Sequence, residues 1–253
     1  MSKLFIVVGN LAFALSSVVV GLRLIRLWSR TRQLPELLLG VAIFVGGFVG
    51  HLLAWIVYVR KPAEPYLTLF SYTYRSAAAL SCALTATMAW YVFRRARGDT
   101  WAKVLLGVIV LILASFPFRD HIVGTGPPET LMRSPFYWMY TFGLSVPYLW
   151  CTVESLRYQS LIRRHWHIGL PADLVVAARM KFWAVGMGAM GSMLLSLEAI
   201  RLINFLRGTP LMDPRSVIAL LGLISTIALW TAFFLPRAYV KRIQAAGAMP
   251  PAA

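Results

Sequence analysis

The sequence predicts an all-α polytopic membrane protein. The predicted fold is a seven-transmembrane helical bundle, amino terminus outside and carboxy terminus in the cytoplasm. Three observations carry this expectation. Seven long apolar stretches follow one another along 253 residues. Almost every Lys and Arg falls in the segments between them. Those basic residues are also shared unevenly, 16 on one side of the alternating stretches and eight on the other. Basic residues accumulate on the cytoplasmic side, which fixes the orientation.

A hydrocarbon core about 30 Å thick needs about 20 helical residues at 1.5 Å each. The first stretch, Leu4–Leu22, follows Lys3. Ala12-Phe13-Ala14 has the small-residue spacing of a leader cleavage site, but the apolar run continues straight through it, so it reads as a retained helix. Arg23, Arg26, Arg30 and Arg32 follow it. The second stretch, Leu37–Val59, is introduced by Leu34-Pro35-Glu36. Proline in a first turn lacks only an N–H that would have no partner there, and an acid behind it meets the positive end of the helix dipole. The third runs Leu67–Phe93 and the fourth, the shortest, Val104–Pro117, with Trp101 and Phe118 able to extend it. The fifth, Phe136–Val153, contains Pro147, which should free a backbone carbonyl unless Ser145 or a neighbouring helix occupies it. The sixth, Phe182–Leu202, is introduced by Leu170-Pro171-Ala172-Asp173, again read as a helix start. The seventh is Val217–Leu235. Residues 1–240 therefore form one transmembrane domain and 241–253 a short cytoplasmic tail.

The third and seventh stretches align without gaps from Arg75 and Arg215, with six identities in 19 positions at an offset of 140. The glycines of the second and sixth align at about 141. This suggests two parallel three-helix units joined by the fourth helix, a 3+1+3 plan of a kind found in transporters, whose binding sites lie between the units. Gly46 and Gly50, and the stripe Ala184, Gly188, Ser192 and Ser196, put small residues on one helix face. In lipid such faces allow close backbone approach, within one bundle or across a homodimer seam.

Ionisable groups at membrane depth are costly and mark candidate sites. His51, Arg75 and Glu198 fall in the outer half, His51 roughly 9 Å below the outer edge at 1.5 Å per residue. Asn10 joins them, with Trp55 one turn above His51 and Tyr72 beside Arg75. These six residues are the expected ligand-binding set, with Arg75 and Glu198 compensating each other and exchanging partners with a polar ligand. The alternative pairs Glu198 with Arg201, one turn away. Glu154 reads as an interfacial ion pair with Arg157 or Arg23. The connection from Phe118 to Ser134, with Arg119-Asp120-His121, is a candidate cap over the pocket.

Several chemistries lack their residues. A bis-histidine haem needs two deep histidines and a zinc hydrolase about three ligands, whereas only His51 lies deep. Cys82 and Cys151 fall inside apolar stretches and read as packing residues. No lysine stands between Val217 and Leu235 to hold a retinal Schiff base. No metal site, cofactor or catalytic constellation is expected, and so no enzyme. The net charge of +16 matches anionic lipid headgroups better than nucleic acid. The leading functional expectation is a plasma-membrane protein, of the bacterial inner-membrane type, that binds or senses a small polar molecule in its outer half. No segment between the stretches is long enough for an output domain, so its signal would pass to a cytoplasmic partner protein. The alternatives are a small-molecule transporter and an accessory subunit of a larger membrane complex.

Overall fold

The computed structural model describes residues 3–60, 62–124, 128–208 and 214–248, and among them it is helical with no strand. Helix α1 is Lys3–Thr31. Helix α2 spans residues 34–60 in four segments: α-helical Leu34–Ala42, π-helical Ile43–Gly50, α-helical His51–Trp55 and π-helical Ile56–Arg60. Helix α3 is Tyr66–Phe93 and α4 is Thr100–Val123, with a 3-10 turn at Phe116–Phe118. Then come α5 (Pro135–His167), α6 (Leu174–Arg207), α7 (Pro214–Phe233) and α8 (Arg237–Ala248).

Five of these helices are long and apolar enough to cross a membrane: α1, the Leu34–Trp55 part of α2, α3, α4 and α6. A sixth is obtained if α7 and α8, bent by 65° at their junction, are taken as one broken span. Two expectations change. The fourth stretch is not short, because the 3-10 turn carries it on to Val123. The fifth falls below the others in apolarity although its helix has 33 residues. Its Tyr137, Tyr140, Ser145, Trp150, Glu154, Ser155 and Gln159 are buried against neighbouring helices, and a helix wrapped in protein need not be apolar toward lipid.

Helix ends follow local chemistry. Pro35 does sit in the first turn of α2. Pro171 does not open α6: the chain remains non-helical until Leu174, and the Asp173 carboxylate caps the helix by accepting from the Val175 and Val176 amides at 2.9 and 3.1 Å. The first apolar stretch ends at Leu22, but α1 continues as helix through Arg23, Arg26 and Arg30. The expected tail from residue 241 begins inside α8. Residues 249–253 and 125–127, the latter within the expected cap, lie outside the described residues.

The helices pack in the cyclic order α1, α2, α3, α5, α6, α7 and back to α1, with α4 bridging α3 and α5. Consecutive helices of the first three approach through small residues. A Cβ on Gly47 would stand 2.2 Å from Ser17 Oγ, and one on Gly46 would stand 2.3 Å from Ser81 Oγ. Gly186 meets Leu229 and Gly191 meets Leu149 in the same way between α6 and its two neighbours. Ser81 Oγ donates to the Ala42 carbonyl at 2.8 Å, and Ser225 Oγ to the Gly186 carbonyl at 2.9 Å. The small-residue face of α2 is thus occupied inside one bundle; on α6 the close contacts fall at Gly186 and Gly191, and of the expected stripe Ala184 is buried while Ser192 is exposed. Near Pro147, Ser145 Oγ donates back to the Thr141 carbonyl, and the Cys82 thiol of α3 donates to the Leu144 carbonyl at 3.6 Å. Cys82 and Cys151 are buried free thiols.

Candidate functional site

The six expected ligand-binding residues separate into three places. Asn10 and His51 come together. They line a cavity of about 50 Å³ where α1, α2, α6 and α7 meet, with Gly9, Phe13, Met193, Ile218, Ala219 and Gly222. Gly9 and Gly222 leave the space open because they present no side chain. The Phe13 ring meets the His51 imidazole edge-on, centroids 5.5 Å apart. Among the described residues, neither the Asn10 amide nor the His51 imidazole has a hydrogen-bond partner, although both are half-buried. His51 is also the first α-helical residue after the π-helical Ile43–Gly50, and a second π segment begins five residues later.

Arg75 and Glu198 do not compensate each other. On the ring α5 stands between α3 and α6, so their side chains find other partners. Arg75, only 7% exposed, pairs with Asp120 of α4 at 2.7 Å and reaches the Tyr74 hydroxyl at 3.4 Å. Glu198 pairs with Arg201 at 2.7 Å, the alternative the spacing allowed, and accepts a hydrogen bond from the Tyr137 hydroxyl of α5. Arg119 joins the two groups: its guanidinium is 3.6 Å from Asp120 and lies over the Tyr137 ring at 5.4 Å. The result is a belt of alternating charge from α3 through α4 and α5 to α6. Tyr72 bonds to His121 and packs edge-on against Phe118, so it fastens α4 to α3. Trp55 is exposed and stacks with Arg60 at 5.5 Å, away from the cavity.

Sequence reasoning misses Asp120, His121 and Tyr137 as structural partners. The Arg119-Asp120-His121 run is visible in the sequence, but it reads as loop because the apolar stretch before it stops at Pro117. The 3-10 turn continues the helix and brings the run down onto α3.

At the opposite, basic end, Glu154 is 4% exposed and is held by Arg94, which bonds it through Nε at 2.9 Å and Nη2 at 2.5 Å. Arg94 also pairs with Asp99 at 2.8 Å and lies over Trp101 at 4.9 Å. Its bond to Glu154 outweighs burial and, with the Asp99 bond, holds the guanidinium above an arginine's ordinary pKa. Arg157, an expected partner of Glu154, is a secondary one at 3.4 Å. Arg23, the other, instead lies over Phe234 at 4.1 Å and ties α1 to the end of α7. Among the described residues no cluster of three or more His, Cys, Asp or Glu could hold a metal ion. Comparison with protein-family models, curated proteins and solved structures finds no match for the chain.

Proposed function

We propose that this protein is a membrane-embedded sensor of a small polar molecule, with the Asn10–His51 cavity as its responsive site. The observation that carries the reading is the pair of unpartnered polar side chains lining one small cavity, His51 standing on a helix whose hydrogen bonding changes register on both sides of it. Polar groups shielded from water normally have partners, so these two half-buried side chains lining one cavity favour an occupant. About 50 Å³ is far below the roughly 300 Å³ of an ordinary metabolite pocket, so the occupant has only a few heavy atoms.

The π segment supplies the coupling. It carries an extra residue relative to α-helix, and its return to α-helix would turn the remainder of α2 by about 100° around the axis. Such a segment has two arrangements, and an occupant that favours one shifts the population. Gly46, Gly47 and Gly50 lie in this segment, where a change of register needs a compliant backbone. The output would pass from the basic end to a cytoplasmic partner, in a protein of the plasma membrane oriented amino terminus out.

A transporter is the second reading, favoured by two equivalences between the halves of the bundle. The bonds Ser81 to Ala42 and Ser225 to Gly186 both span 39 residues and are related by a shift of 144. The helix order is also unchanged when α1, α2 and α3 are exchanged for α5, α6 and α7. Both favour a 3+1+3 repeat, aligned one turn further along than the 140-residue match of the sequence. The cavity then lies between units, since α1 and α2 belong to one and α6 and α7 to the other.

One experiment separates the readings. The purified protein in nanodiscs is screened for thermal stabilisation against small polar compounds, beside His51→Phe and Asn10→Leu. A compound that stabilises only the wild type supports the site, and uptake of that compound into proteoliposomes would move the assignment to transport. Equal shifts in all three proteins would remove the cavity from consideration.

A further inference from the structure

We infer that the basic end of the bundle holds an anionic phospholipid in a groove between α3 and α5, its phosphate between Arg97 and Arg164. The groove encloses about 630 Å³. Its wall toward the middle of the helices is made of Val92, Val153 and Leu156, and Leu161 adds an apolar side chain nearer the basic end; each is at least 40% exposed. Its other end carries Arg97, Arg157, Arg164 and Ser160. From residue 153 to 164 the helix rises about 16 Å, with Val153 and Leu156 toward the middle, Arg164 at the far end, and Arg157 and Leu161 between them, so an acyl chain would lie along the first part and a headgroup along the second.

Charge selects an anionic headgroup. The groove's Arg97, Arg157 and Arg164 share it with one carboxylate among the described residues, Glu154, which is already held by the neighbouring Arg94 and touched by Arg157. Among the described residues no carboxylate lies within ion-pair distance of Arg97 or Arg164, and both arginines are exposed. A zwitterionic headgroup would bring a cation of its own into this group, whereas a phosphodiester without one leaves two or three guanidiniums to share its oxygens. The apolar wall argues for a lipid over a free phosphate, which would leave those side chains unused. This inference is independent of the assignment of the His51 cavity.

The test is native mass spectrometry of delipidated protein titrated with phosphatidylglycerol, phosphatidylcholine or inorganic phosphate. Each basic side chain near an anionic lipid contributes about fivefold in affinity, so the double variant Arg97→Gln/Arg164→Gln should bind phosphatidylglycerol about 25-fold more weakly. Arg26→Gln/Arg30→Gln, at the same end but outside the groove, should bind as wild type. A Leu156→Gln/Leu161→Gln variant should weaken lipid retention as well. Equal retention of phosphatidylcholine, an unchanged Arg97/Arg164 variant, or competition by millimolar phosphate that matches the lipid would overturn the inference.

Discussion

Arg75 and Asp120 form an ion pair at 2.7 Å that joins two helices, whereas Glu198 closes its pair with Arg201 three residues along its own helix. The same pairing chemistry therefore has different consequences. The first fixes where the end of α4 lies on α3, and the second neutralises a carboxylate locally.

Removing Asp120 should hurt more than removing Arg201. Asp120→Asn leaves the buried Arg75 guanidinium without its carboxylate. Loss of one partner from a buried pair costs about 3–5 kcal/mol, and the partial exposure of Asp120 lowers this to about 2 kcal/mol. Arg201→Gln should cost under about 1 kcal/mol, because that side chain is largely exposed and Tyr137 still donates to Glu198. Thermal unfolding in nanodiscs measures both, and equal losses would contradict the distinction.

The basic end offers a sharper contrast. Glu154→Gln takes the carboxylate from Arg94 in a site where both groups are buried, an expected loss of about 3–5 kcal/mol. Arg157→Gln touches the same carboxylate from the exposed side and should cost less than about 1 kcal/mol. A double-mutant cycle between Arg94 and Glu154 should give coupling well above that between Arg157 and Glu154.

Close helix approach predicts which glycines tolerate a methyl group. Gly47→Ala would place its Cβ against Ser17 and should destabilise by about 1–3 kcal/mol. The reciprocal change Ser17→Gly in the same chain should recover much of it. Gly107→Ala meets nothing within 4 Å and should be neutral or gain up to about 1 kcal/mol from helix propensity. A homodimer seam through these glycines would instead make Gly47→Ala dissociate an oligomer, which size-exclusion chromatography with light scattering would reveal.

Orientation is testable with thiols, since Cys82 and Cys151 are buried and should not react. In intact cells a membrane-impermeant maleimide should label Arg133→Cys and leave Ala96→Cys untouched until the cells are opened. The reverse pattern would place the basic end outside.

The sequence by itself determined the helical class, the apolar segments, the alternation of charge that predicts orientation, the proline start of α2 and the role of small residues. Each is a local or periodic property: a helix satisfies its own backbone, and an apolar run of bilayer length needs no partner to be recognised. The Asp173 cap is legible as an acid at a helix start, though its place relative to Pro171 depends on backbone turns that composition does not encode. Only the tertiary structure decided which charges meet. Depth along a helix places Arg75, Glu198 and His51 at one level, but depth carries no azimuth, and α5 interposes Tyr137 between α3 and α6. The same missing azimuth hides the Arg94–Glu154 pair, whose members are 60 residues apart. Asn10 and His51 are legible together because α1 and α2 are consecutive, antiparallel and drawn together by glycine, so sequence neighbours become spatial ones. Pairings across the ring depend on how six helices close upon one another, which is a property of the assembled packing and of no single segment.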